Sequence, residues 1–76
     1  MNKQTRKTLE EINNQIEDLK SQIESIRDEE QEKYDNMPEG LQAGEQGDRF
    51  QEVVDALDEA VDALDEAVEA INEAQN

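Results

Sequence analysis

Apolar residues recur in two runs with alternating three- and four-residue steps. The later run is the more regular: Val54–Ala60, Val61–Ala67 and Val68–Ala74 are three copies of one seven-residue unit. With the valines at heptad position a, Leu57, Leu64 and Ile71 fall at d. An a/d pattern held over three heptads predicts a helix that packs along another helix. Alanines occupy c (Ala56, Ala63, Ala70) and g (Ala60, Ala67, Ala74). On a helical wheel c, g, d and a adjoin, so the apolar arc spans about 160°, wider than a plain coiled-coil seam. The alanine face is the expected helix-packing face, because small side chains let helices approach closely.

The earlier run, Leu9, Ile12, Ile16, Leu19, Ile23 and Ile26, keeps the same alternation. Beyond it Glu30 takes an a position, although the residues up to Tyr34 still favour helix. Thr8 with Glu11 matches a capping box and Thr5 is an alternative cap, which predicts a frayed lead-in before them. Between the runs, Pro38 and all three glycines, Gly40, Gly44 and Gly47, predict a linker over 36–47. The proline opens one helical turn near 38–41. Asp48 then looks like the cap of the second helix, with Gln51 completing its capping box. The expected organisation is a single domain over 1–76. Helix one covers about 5–35 and helix two about 48–75.

Folding the chain about Gly40 pairs residues whose numbers sum to 80. Leu9 meets Ile71, Ile12 meets Val68, Ile16 meets Leu64, Leu19 meets Val61, Ile23 meets Leu57 and Ile26 meets Val54. Every layer is apolar on both sides and joins an a to a d, as an antiparallel pair requires. Glu30 opposite Phe50 is the first flawed layer. Lys20 and Arg27, at e of helix one, fall near Asp58 and Asp65, at e of helix two. The fold class is therefore all-α, an antiparallel two-helix hairpin. A lone hairpin leaves one side of its seam wet, so the pattern further predicts either a homodimer, a four-helix bundle formed through the alanine face, or docking of that face onto a partner.

Charge changes the picture most. The net charge is −15, and Phe50–Asn76 holds no Lys or Arg. Positions f and b of helix two present Glu52, Asp55, Glu59, Asp62, Glu66, Glu69 and Glu73, with Asp58 and Asp65 widening the stripe. These acids recur about every 5 Å along the axis, a scale comparable to phosphates on one nucleic-acid strand. Such a chain is repelled by nucleic acid and anionic membranes and drawn to basic proteins. The plain alternative is a solvated face that keeps an alanine-rich helix soluble. Ordinary surface helices mix signs to gain i,i+4 pairs, however, and this helix forgoes them.

Other chemistry is sparse. The chain has no His and no Cys, which removes the commonest general base and the thiolate nucleophile and metal ligand. There is no Gly-rich phosphate loop, and no cleft in which paired carboxylates could differ in environment. The expectation is a non-enzyme with no cofactor. The stretch from Asp35 superficially resembles a calcium loop, but Met37 occupies a ligand position and Gln46 stands where a bidentate Glu is needed. No apolar run is long enough for a membrane span, and no hydrophobic region follows the basic N-terminus. Both point to a cytoplasmic protein.

The linker concentrates Tyr34, Met37 and Leu41. They either cap the open end of the hairpin or form a partner-binding tip. The run Tyr34, Asp35, Asn36, Met37, Pro38, Glu39, Gly40, Leu41 and Gln42, followed by a Gly-rich gap and an acidic heptad helix, resembles small acidic coiled-coil proteins of bacterial and phage genomes. No residue inherits a role from that resemblance. It implies a phage or prophage setting in a bacterial cytoplasm. Small acidic phage proteins of this kind block host nucleases, restriction enzymes or CRISPR effectors, some by imitating DNA. The expected partner is thus a basic, nucleic-acid-handling host protein, bound through the acidic face. The alternative is a structural or adaptor coiled coil whose acids only solubilise.

Overall fold

A computed structural model describes residues 1–76. Two long helices, α1 (Lys3–Asp35) and α3 (Glu45–Gln75), flank a single turn, α2 (Glu39–Gln42). There are no strands, and the molecule is a rod of 58 × 15 × 12 Å. Its radius of gyration is 17.4 Å, whereas a compact chain of this length would have about 11 Å. The helical hairpin expected from the heptads is the architecture observed.

Helix α1 starts earlier than the capping-box reading implies. Asn2 is the N-cap: its side-chain oxygen accepts from the Thr5 amide at 2.8 Å. Thr8 is not a cap; its hydroxyl donates to the Gln4 carbonyl one turn back, at 3.1 Å. The expected frayed lead-in is therefore helical. Asn is among the strongest N-cap residues, and Lys3, Gln4, Arg6 and Lys7 all propagate helix well. That outweighs the absence of acids in the first turn.

The hinge is shorter than the expected linker. Met37 closes on the Tyr34 carbonyl, and Leu41 and Gln42 both donate to Pro38, forming the turn that the proline predicted. The Gln42 side chain donates to the Tyr34 carbonyl at 2.8 Å and ties α2 back to α1. Helix α3 begins at Glu45 with Gly44 as N-cap, so Asp48 lies inside the helix and caps nothing. Glu45 and Asp48 instead complement the helix dipole in the first turn. Gly47 is helical and buried. A side chain there would fall 2.6 Å from the Gln42 carbonyl carbon and 2.7 Å from its Cα. The glycine marks a close backbone approach, not a helix break.

Register follows the predicted folding, and the ladder along one edge shows it. Asn13 bonds Asn72 at 2.9 Å, Lys20 bonds Asp65 at 2.7 Å and Arg27 bonds Asp58 at 2.9 Å. All three rungs join e to e′. The numbers of each rung sum to 85, which matches a/d layers that sum to 80, because e lies four residues past a and e′ lies one past d′.

The seam itself is rolled. Val54 and Val61 of α3 are its only buried hydrophobic residues. In α1 the half-buried positions are a (Leu9, Ile16, Ile23) and e (Asn13, Lys20, Arg27). The d residues Ile12, Leu19 and Ile26 are 38%, 51% and 50% exposed, so three of the six expected layers are not closed on the α1 side. Asp has one methylene fewer than Glu, so closing the Lys20 and Arg27 rungs draws the e edge of α1 inward and swings d outward. The stems of Lys20 and Arg27 then cover apolar surface that d would otherwise cover.

Candidate interaction surfaces

The rod has three distinct long surfaces, and their composition follows from heptad position. The closed edge carries the ladder. Lys20 also reaches Glu17 at 3.2 Å, and Arg27 reaches Asp28 at 3.2 Å. The Lys20 ammonium is held above its ordinary pKa, first by its hydrogen bond to Asp65 and then by that to Glu17. Arg27 is raised in the same way, by Asp58 and then Asp28. These charges are committed to register and do not serve as a free binding surface.

The second surface is the outer face of α3. Glu52, Asp55, Glu59, Asp62, Glu66, Glu69 and Glu73 are all exposed. None takes part in an ion pair or a side-chain hydrogen bond; the α3 acids that do are Asp58 and Asp65. From Glu52 to Glu73 the row runs about 32 Å at helical rise. No three acidic side chains converge into a group able to hold a metal ion. The row is thus a line of separate, hydrated charges.

The third surface is apolar. Of the alanines expected to pack helices, Ala60 and Ala67 are half-buried, whereas Ala56, Ala63, Ala70 and Ala74 are exposed. Val53 and the d residues of α1 lie exposed on the same side. The heptad assignment alone did not single out this grouping, because it treats a and d as equally enclosed. The usable signal was at e of α1, where the long side chains of Lys20 and Arg27 face short aspartates.

At the hinge, Tyr34 and Met37 are half-buried and Leu41 is 49% exposed. Glu30 and Phe50, the first flawed layer, line one open groove of about 810 Å³ with Glu45, Asp48 and Arg49. Glu30 is held there by Lys33 at 3.0 Å. The groove is broad and solvent-open. It brings no nucleophile and base together.

No helix is long and apolar enough to cross a membrane. No protein-family model, curated protein or solved structure matches the chain.

Proposed function

We propose that this is a non-catalytic acidic interaction protein. Its α3 carboxylate row occupies the nucleic-acid site of a basic, nucleic-acid-handling protein. One observation carries the reading: seven carboxylates in a single row are exposed and unpaired while every cross-helix cation goes to Asp58 or Asp65. A rigid helix holds those charges in line, so they steer and dock as a strand of phosphates does. The resemblance of the Tyr34–Gln42 hinge to phage-encoded proteins makes an inhibitor of a bacterial nuclease, restriction enzyme or CRISPR effector the setting, within the cytoplasm. The hairpin acts there as a homodimeric four-helix bundle, without cofactor.

The test is capture from bacterial lysate by the tagged protein beside a D55N/D62N/E69Q variant, with free DNA as challenge. A nucleic-acid-binding protein held by the wild type, lost with the variant and displaced by DNA is the expected result. Equal retention by both baits would overturn the reading. It would favour the adaptor alternative, which the exposed aliphatic residues of α1 support independently.

A further inference from the structure

The ladder closes only one edge of the rod. Antiparallel packing sets e against e′, so the d and g positions of both helices share the opposite edge. Ile12, Leu19 and Ile26 run along it from α1, beside Val53, Ala60 and Ala67 of α3. The α1 residues at g, Thr8, Gln15 and Gln22, are uncharged as well. In a chain with 22 acidic and 7 basic side chains, such an uncharged strip, about 27 Å long from Thr8 to Ile26 at helical rise, is a marked exception. Near the hinge the strip ends at charges, Glu29 at g and Lys33 at d.

The accessible area of the rod leaves room for a contact of the size a dimer needs. The hairpin exposes 5622 Å². A compact monomer of its mass would expose about 4700 Å². The excess of roughly 900 Å² is close to the ~800 Å² that each partner contributes to a standard interface. Charge argues for the same occupant. On the α3 wheel the b and f acids lie far from the g edge, so two copies joined along this edge keep their carboxylate rows on opposite outer sides.

We propose that the edge formed by Ile12, Leu19, Ile26, Val53, Ala60 and Ala67 is the interface with a second copy of this chain. It is an isologous contact that closes a four-helix bundle. The proposal rests on the dimer named above for its stoichiometry and reassigns its interface from the alanine c/g face to the d/g edge. The dimer then carries two outward acidic rows. Copies of equal charge repel, so added salt tightens self-association, whereas it weakens docking of the acidic row on a basic partner.

Light scattering on eluting protein and sedimentation equilibrium test this directly, with helicity followed by circular dichroism. The wild type is expected at twice 8.7 kDa. Leu19→Lys should halve that mass while the helical signal persists, because Leu19 is already half exposed within the hairpin. Ala63→Lys, on the exposed c row, should stay dimeric. The chain has no cysteine, so Leu19→Cys, at the middle of the stripe, provides a second readout that does not depend on how Leu19→Lys folds. It should oxidise to a covalent dimer, and Asp62→Cys on the acidic row should not. A fully helical wild-type monomer overturns both the stoichiometry and the interface. A wild-type dimer that survives Leu19→Lys, dissociates with Ala63→Lys or cross-links only through Asp62→Cys overturns the interface and leaves the dimer standing.

Discussion

Gly47→Ala should destabilise this protein, although it replaces glycine by the best helix former in the first turn of a long helix. Propensity alone favours the alanine by about 1 kcal/mol. The structure opposes it. An alanine Cβ would sit 2.6 Å from the Gln42 carbonyl carbon and 2.7 Å from its Cα, with the carbonyl oxygen nearer still. All of these are backbone atoms of α2, so no side-chain rotation relieves the clash. The hinge and α3 would have to separate by about 1 Å to restore ordinary contact, and overpacking of this kind costs ~1–3 kcal/mol. That shift also pulls on the Gln42 bond to the Tyr34 carbonyl. With propensity offsetting about 1 kcal/mol of the cost, the net loss reaches up to about 2 kcal/mol. At ~4–8 °C per kcal/mol for a domain of this size, the melting midpoint should fall by up to about 15 °C, and in any case below that of Gly40→Ala. Gly40→Ala is the internal control. Gly40 is also helical but has nothing within 4 Å of its would-be Cβ, so the same change there should gain about 0.5–1 kcal/mol. Thermal melting by circular dichroism, at one fixed protein concentration because the proposed self-association would shift the midpoint, reads both. If Gly47→Ala melts as high as Gly40→Ala or higher, the close approach of α2 to α3 is wrong.

Three further outcomes follow from the caps and the ladder. Asn2→Ala should cost about 1 kcal/mol and lower helicity at the start of α1, as expected for a lost N-cap bond, whereas Thr8→Ala should leave the melting midpoint unmoved. Equal effects would return the cap to Thr8. Because Lys20 is raised from 10.5 by Asp65 and Glu17, its contribution is complete below the unfolded value and is lost as pH rises through the folded one. The melting midpoint should therefore fall more steeply above about pH 10.5 in the wild type than in Lys20→Arg, and parallel curves would remove the pair from the stability balance. Arg27→Asp should lower the midpoint and Asp58→Arg in the same chain should recover part of it, with the recovery shrinking in high salt. No recovery would mean that the rung does not set the register.

What could be read from the sequence divides along physical lines. The two seams and their antiparallel register were legible because hydrophobic period and charge agree. Lys20 and Arg27 fall opposite Asp65 and Asp58 in the same alignment that stacks aliphatic residues. The hinge was legible only in outline. Pro38 announced its turn, but Gly47 looked like a break when it is a contact between elements distant from any periodic signal. The start of α1 was misplaced because Asn2 stands before the apolar pattern begins, where periodicity has nothing to say. The roll of α1 was not legible from the heptads either. They fix which residues share a face, whereas the angle at which that face meets its neighbour depends on side-chain lengths across the ladder.

That roll ties the surfaces together. Had d been enclosed as fully as a, the hairpin would have had no aliphatic edge left over, and only alanines would have remained for further packing. By drawing Lys20 and Arg27 inward, the short aspartates of α3 tie up the two α1 cations that reach that helix and turn Ile12, Leu19 and Ile26 outward. One geometric choice thus leaves the carboxylate row of α3 unneutralised and leaves the opposite edge uncovered, the edge proposed for self-association. The two surfaces answer to salt with opposite sign, since repulsion between copies and attraction to a basic partner are both screened. A titration of sodium chloride that follows mass and partner retention in the same samples therefore separates them. Mass should be held or rise while the partner is lost. A fall in both together would place the acidic row inside the self-association interface and contradict the arrangement of faces drawn from the wheel.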